Sequence, residues 1–524
     1  MVILGVGGLL NEAACAVLKD GELLAAVEER KLTRTHHAGG LPEQGIAFCL
    51  KQAGVDASGV NFLVLVRPLT NPARELHIEL RQRFPNAELL LVDHHLAHAA
   101  SAYYVSPFDT ATVLTLDRAG DFRCGARWQA TGTQLTVDRE IYLPDSLGDL
   151  YGRVTALLGF LPNGDEHKVQ WLSVAGDDRF VDLFHEILSG GRDGWPRLDR
   201  SFFDGDRIGQ GAFSAKFYER LGLGDGDDIP AELRAHIAAG VQRALEQAVI
   251  DMAPQGENLC LAGGLGLNVL LTAALERCGR FPQVFVQPAA GNAGTAIGAV
   301  THVWHSVARQ THRVSMRDLL LGPQFSPEEI KQVIENCKLR FHYLLTTDEL
   351  VDAAVRELGE NKIVAWMQGA MEFGPRALGN RSLLASPMNP YSTENLNAYI
   401  KHRESFRKFA ASVPAELASE YFEVGPNARY LATVGTVKAP YRKQFESAIL
   451  AGDMIRVHTV TEEDNPAFWR LLHAAGKATG LPVLYNTSFN LFGEPLVCSP
   501  RDAVRSFYSS GVDSLFVGHF LLQK

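Results

Sequence analysis

Apolar and polar positions alternate in blocks that predict short buried strands between amphipathic helices. Val2–Val6 is an apolar run that breaks at Gly7 and Gly8, so it predicts a buried strand ending in a tight loop. Ala13–Leu18 and Leu23–Val27 predict two more strands. Asp20–Gly21 between them predicts a hairpin turn, because both central positions favour positive φ. Pro42 opens a helical pattern through Cys49 and Ala53. Phe62–Val66 predicts a strand, Ala73–Phe84 a helix and Glu88–Val92 another strand.

The same order then starts again. Thr112–Leu116 predicts a buried strand ending at Asp117, and Cys124–Ala130 with Gln134–Asp138 predicts a hairpin across Thr131–Thr133. A long helix at Ala231–Met252 follows, then a strand at Asn258–Ala262 ending in Gly263 and Gly264. A helix near Asn268–Glu276, a strand at Gln283–Gln287 and a helix from Gly294 complete the set. Strand, glycine loop, hairpin and alternating helix and strand, twice over, predict a duplicated α/β fold with helices on mixed sheets and a cleft between two lobes. Glycine loops after strands let backbone N–H groups approach phosphate where no Cβ intrudes. Gly5–Gly8, the stretch Gly263, Gly264 to Asn268, and Gly291–Thr295 are therefore candidate nucleotide loops, although such a turn is often only a turn.

Between the two repeats lies His94-His95-Leu96-Ala97-His98, at the start of a predicted helix. His94 and His98 are four apart and share one helical face, a spacing at which two imidazoles can grip one metal ion. A helix cap with surface histidines fits the same residues.

In the second half, Ile363–Met367 predicts a strand leading into Gln368–Ser382. In that stretch Gly374–Pro375 forces a turn, and Arg376 and Arg381 flank a second glycine. Lys401, Arg403, Arg407 and Arg456 follow, and a strand at Pro482–Tyr485 ends in Asn486-Thr487-Ser488-Phe489-Asn490. Arginine forks match phosphate and hydroxyls complete its shell, so these residues predict an anion site; solvated helix faces are the alternative.

The net charge of −10 argues against non-specific nucleic-acid binding. No apolar stretch reaches membrane-span length. Seven scattered cysteines without a CxxC pair, and a start without a basic n-region, fit a reduced cytoplasmic protein.

The histidine cluster, the strand ending in Asp117, the glycine loops, the Tyr151–Phe160 segment with Lys168, and the runs Glu372–Ser382 and Asn486–Asn490 together resemble the NodU/CmcH-type O-carbamoyltransferases over essentially the whole chain. The resemblance implies an actin/Hsp70-like ATPase-type N-terminal domain over residues 1–320 and a YrdC-like α/β domain over residues 321–524. It implies a metal site of His94, His98, Asp117 and Asn292 for Fe(II) or another divalent ion. It also implies phosphate- and adenylate-binding residues Arg376, Arg381, Lys401, Arg456, Ser488 and Asn490. The activity implied is formation of carbamoyl adenylate from carbamoyl phosphate and ATP with magnesium, then transfer of the carbamoyl group to a hydroxyl of a small natural-product acceptor. The family's usual His-Asp pair is replaced by Asn11-Glu12, its Lys-His-Asp run keeps only His37, the glycine after its aspartate is Arg118, a position commonly aspartate is His236, and its last metal aspartate is Asn292. A position often glutamine is His458. These departures leave His37 or Glu12 as candidate bases, with His236 as a third, and Lys401 to position the reacting oxygens. They keep two other readings open: transfer to an amine or another divergent acceptor, and a nucleotide-binding scaffold with a degenerate transfer site. Acceptor and oligomeric state stay open.

Overall fold

The computed structural model describes residues 1–36, 39–69, 73–189, 191, 195–206, 211–314, 316–491 and 493–524. They form two compact units: Met1–Val92 with Asn292–Lys524, and Asp93–Gly291. The larger unit joins the N-terminal segment to the C-terminal one.

The first sheet of the larger unit holds β1 (Val2–Gly7), β2 (Ala14–Lys19), β3 (Glu22–Glu28), β4 (Phe62–Val66) and β5 (Glu88–Val92) in the order β3-β2-β1-β4-β5. β1, β2 and β3 pair antiparallel, and β1, β4 and β5 pair parallel. The smaller unit holds β6 (Thr110–Gly120), β7 (Arg123–Thr131), β8 (Gln134–Tyr142), β9 (Leu259–Ala262) and β10 (Val284–Val286), ordered β10-β9-β6-β7-β8. Counted from β8, its sequence of antiparallel and parallel pairings repeats that of the first sheet. The expected duplication and α/β class are present. β6 runs further than its apolar core predicts, because Gly120 still pairs with Arg123 at the turn of the hairpin.

In the larger unit the helix Thr295–His302 lies against β1. A Cβ on Gly5 would sit 2.6 Å from Ala296 O, and one on Gly7 would sit 2.1 Å from Thr295 Oγ1. Those two glycines are therefore required by helix–strand packing.

The same unit continues into a ten-stranded sheet of β11 (His342–Tyr343), β12 (Val364–Met367), β13 (Arg381–Ala385), β14 (Ala410–Pro414), β15 (Phe422–Glu423), β16 (Val434–Val437), β17 (Met454–Val460), β18 (Leu484–Ser488), β19 (Ser514–Val517) and β20 (Phe520–Gln523). Its order is β11-β20-β19-β12-β13-β18-β14-β17-β16-β15. Ile455, Val457, Leu383, Ala411 and Tyr485 point into one core on one face. Val460, Leu484 and Leu384 pack on the other face with Phe468 and Leu471 of the helix Pro466–Thr479.

One buried ion pair ties the two sheets of this unit together. Lys31 and Glu28, 2% and 1% exposed, are 2.9 Å apart. Lys31 Nζ also donates to Glu372 O (2.8 Å) and Gly374 O (2.7 Å), and Glu28 Oε1 accepts from Gly374 N–H (3.0 Å). Burial pulls the Lys31 ammonium below its ordinary pKa, and the neighbouring Glu28 carboxylate counters that pull. Removing one partner strands the other charge. Lys31→Met should cost about 3–5 kcal/mol in denaturant unfolding, and Glu28→Gln with Lys31→Met together should cost less than Lys31→Met alone.

Candidate functional site

Two constellations stand out, one in each unit. The first begins with Asp93. Its carboxylate caps the helix His94–Tyr103 by accepting from His95 N–H and Leu96 N–H, and it is anchored by Arg123 Nη1 at 2.8 Å. Capping fixes the helix start, so His94 and His98 fall one turn apart on the face that meets the end of β6. His94 Nε2, His98 Nε2 and Asp117 Oδ2 lie 3.1 Å from one another.

Two imidazole nitrogens and a carboxylate oxygen converging on one point suit Fe(II), Mn(II) or Zn(II). Both Nε2 atoms cannot turn a proton inward at that spacing without opposing each other, so the cluster fits a bound cation. His94, His98 and Asp117 are also the group of potential ligands found among the described residues. Burial alone would raise the Asp117 carboxyl, but the hydrogen bonds from both histidines hold it well below the usual carboxylate range. His98 is shifted down by burial.

His95 takes no part in this convergence. Its Nδ1 meets Thr115 Oγ1 at 2.9 Å and its Nε2 meets Arg123 O at 3.1 Å, so it braces the β6–β7 hairpin. Burial holds it neutral, with its pKa near 3. Asn292 opens the other unit, where its amide donates to Asn11 Oδ1.

Three glycines bring the backbone against this centre. A Cβ on Gly120 would lie 2.2 Å from His94 Cδ2, one on Gly263 would lie 2.2 Å from Leu116 O, and one on Gly264 would lie 3.0 Å from Asp117 Oδ1. Gly263 and Gly264 are therefore explained by close approach to the end of β6. Asn268 is placed differently from the nucleotide contact expected of it. Its Oδ1 caps the helix Val269–Arg277, and its Nδ2 donates to Gln242 Oε1 at 2.8 Å. Gln242 also accepts from Tyr151 and donates to Glu246.

The second constellation lies on one face of the ten-stranded sheet. Arg456 of β17, Ala410 of β14 and Asn486 of β18 stand in one row across the sheet; His458, Ser412 and Leu484 stand in the next. Lys401 is buried, and its Nζ donates to Ser488 O (2.5 Å), Asn490 O (2.9 Å) and Asn490 Oδ1 (2.6 Å). Burial depresses Lys401, and Arg403 and Arg407 depress it further. Burial likewise depresses Arg456, with Arg376, Arg403 and Arg407 adding to it. Burial and Arg407 bring Arg376 down to about 10, and burial, Arg407 and against them Glu404 leave Arg403 at about 9. These cations lie close enough to repel one another. Arg403 and Arg407 belong to the site although the family pattern did not single them out; their signal was the density of cations between Lys401 and Arg407.

Arg381 corrects the expectation. Ser382 pairs with Ser488, so alternation turns Arg381 to the opposite face of the sheet. Its fully buried guanidinium donates to the carbonyls of Gln368, Gly369, Asn380 and Pro323. It holds the loop from inside. Glu372 does the same from beneath, one oxygen accepting from Leu378, Asn380 and Arg381 N–H. Of the candidate bases, Glu12 sits 3.7 Å from Arg30, His236 sits 2.9 Å from Asp177, and His37 lies outside the described residues.

Residues 2–69 and 74–301 match the family profile described as Carbamoyltransferase N-terminus, and residues 355–524 match Carbamoyltransferase C-terminus. An uncharacterized protein of Synechocystis sp. is 34% identical, with 100% of this chain and 96% of that protein covered. Nodulation protein NolNO of Sinorhizobium fredii is 32% identical over 98% of this chain and 79% of its own length. Nodulation protein NolO of Bradyrhizobium diazoefficiens is 34% identical over 83% and 79%.

Because a side chain at residue 120 must displace the His94 ring, Gly120→Ala should weaken Mn(II) or Fe(II) binding by about 10–100-fold in calorimetric titration, as loss of a ligand's support does. His95→Gln should lower stability more than metal affinity.

Proposed function

This chain belongs to the carbamoyltransferase family, and on that premise we propose that it activates carbamoyl phosphate with ATP and passes the carbamoyl group to a hydroxyl of a small acceptor. Carbamoyl phosphate gives carbamate and inorganic phosphate by reaction with water. A carbamate oxygen then attacks the α-phosphorus of ATP, the bond from that phosphorus to the α,β-bridging oxygen breaks, and pyrophosphate departs with its β,γ bridge intact. The product is carbamoyl adenylate. In the second step an acceptor oxygen attacks the carbamoyl carbon, AMP leaves, and the hydroxyl proton passes to a base.

The observation that carries this reading is a group of half-buried or buried cations near one another, Lys401, Arg376, Arg403, Arg407 and Arg456, of which Lys401, Arg376, Arg403 and Arg456 are pulled down first by burial and then by neighbouring arginines. Like charges held together in a half-buried pocket raise its energy, and a triphosphate or carbamoyl phosphate relieves that repulsion on binding. Arg376 and Arg456 would take phosphate oxygens bidentately and stabilise charge that develops at the α-phosphorus. Lys401 would orient Ser488 and Asn490 toward the same oxygens while adding its own charge.

For transfer, His94, His98 and Asp117 would hold a divalent ion, which supplies Lewis-acid polarisation when bound. Glu12 and His37 are the candidate bases for the acceptor proton. Glu12 is held in a left-handed backbone conformation, φ 57°, next to Arg30. Its carboxylate stands where the resemblance implies a His-Asp pair, here Asn11-Glu12.

Incubation of the chain with carbamoyl phosphate, ATP and magnesium should release pyrophosphate. Lys401→Met and Arg456→Leu should each lower kcat/KM for that release by about 10²–10³-fold. Absence of pyrophosphate from the unmodified protein under every divalent-metal condition would overturn the reading. Carbamoylated product from amines but from no hydroxyl in an acceptor panel would move the second step to nitrogen.

A further inference from the structure

The turn that carries Arg376 is held at its base by an ion pair from a distant part of the sequence. Gly374 has φ 99°, in the region that favours glycine, and Pro375 fixes the next φ, so the turn has a defined backbone. Both polar groups of Gly374 end on the same pair. Its N–H donates to Glu28 Oε1 (3.0 Å), and its carbonyl accepts from Lys31 Nζ (2.7 Å). On the other side of Arg376, Ala377 O accepts from Asn486 Nδ2 (3.2 Å) and Leu378 N–H donates to Glu372 Oε1 (2.8 Å). Of residues 371–380, only Pro375 and Arg376 reach the surface.

Lys31 is fully spent on this task. An ammonium has three N–H groups, and three acceptors meet this one: Glu28 Oε1 at 2.9 Å, Glu372 O at 2.8 Å and Gly374 O at 2.7 Å. Glu372 joins the two sides of the turn. Its carbonyl accepts from Lys31, and its carboxylate accepts from Leu378, Asn380 and Arg381 N–H. Glu28 is the last residue of β3, and Lys31 lies in the short helix Glu29–Thr33 that follows. Glu29 N–H donates to Ala13 O (2.9 Å), and the Glu29 carboxylate accepts from Gln44 and Gly45 N–H at 3.1 and 2.8 Å. The pair is therefore mounted on the first sheet and its helix.

Stability alone does not account for charge at this place. A buried ion pair is often matched or bettered by apolar side chains of the same volume. Apolar groups cannot hold a peptide N–H and two carbonyls in one direction. Two residues beyond the Gly374 N–H comes Arg376, whose guanidinium lies within reach of the charges on Arg407 and Arg456. A guanidinium among like charges swings away from them unless the backbone beneath it is fixed.

We propose that Lys31, with Glu28, is a positioning residue of the anion site: it fixes the Gly374 peptide so that the Arg376 guanidinium stays near Arg456, where one polyphosphate can meet both. This deepens the function proposed above and rests on its anion site. Lys31 is 2% exposed, so it acts through Arg376 and not on the ligand. A residue near the start of the chain thereby sets the phosphate affinity of the ten-stranded sheet.

Calorimetric titration of the full chain with inorganic tripolyphosphate tests this without turnover. Measured where circular dichroism shows each variant folded, Lys31→Met should bind about tenfold more weakly than the unmodified chain. Arg376→Met should also bind about tenfold more weakly, and adding Lys31→Met to it should change affinity by less than about twofold. Glu28→Gln with Lys31→Met should be more stable than Lys31→Met alone yet bind no better. That double variant strands no charge, so it supplies the comparison if Lys31→Met does not fold. Glu357→Gln, which disturbs a buried carboxylate bonded to Lys362 and Ser514 elsewhere in the same unit, should lose stability and keep its affinity. Unchanged affinity in both Lys31 variants overturns the positioning role. So do effects of Lys31→Met and Arg376→Met that multiply, an equal loss of affinity in Glu357→Gln, or no tripolyphosphate binding by the unmodified chain. If binding follows the expected pattern but no nucleotide yields pyrophosphate, the activity reading fails and the positioning role stands. If pyrophosphate is released but the Lys31 variants bind like the unmodified chain, the reverse holds.

Discussion

Like charges crowded on one half-buried sheet face are the constraint around which the larger unit is built. Burial pulls Arg376, Arg403, Arg456 and Lys401 below their ordinary ranges, and Arg407 adds to the pull on all four of them. Such a cluster stays in place only if the backbone beneath it cannot relax. Lys401 is fixed by carbonyl and amide oxygens of Ser488 and Asn490. Arg403 is held by Asn397 Oδ1 at 2.7 Å and lies 4.5 Å over the Phe409 ring. The loop carrying Arg376 is clamped by Glu372 and Arg381 from within and by Glu28 and Lys31 of the N-terminal segment. Holding these cations together costs stability, and under the proposed function a bound phosphate would offset that cost.

The smaller unit solves the opposite problem. It brings His94, His98 and Asp117 together as a group that could hold a cation, and small residues let its backbone approach. A methyl group would collide with His94 at Gly120 and with the Leu116 backbone at Gly263, and would crowd Asp117 at Gly264. His95, next in sequence to a ligand, turns into the hairpin and makes both of its hydrogen bonds there. Three adjacent-looking histidines thus divide into two that converge on Asp117 and one brace, because a helix separates neighbours by 100° and unites residues four apart.

Much of this was legible in the chain. Periodicity and turn residues marked the duplicated sheets, and the DG turn set the first hairpin. The cation-rich run from Lys401 to Arg407 and the Ser488–Asn490 strand end were visible as groups, and the structure brings Lys401 to Ser488 and Asn490. What misled was reading residues by proximity in sequence. Arg381 and Ser382 are neighbours, yet only Ser382 shares the face of Ser488. Asn268 follows a glycine loop like a phosphate contact, yet serves as a helix cap within a buried amide network.

The sequence by itself determined the elements and the kinds of chemistry, because hydrophobic period, turn preference and side-chain donor type are local properties. Only the tertiary structure decided which of those groups meet. Strand register put Arg456 and His458 on one face and Arg381 on the opposite one. Pairing partners hundreds of residues apart leave no local signal, since the energy that selects them comes from contacts formed after folding.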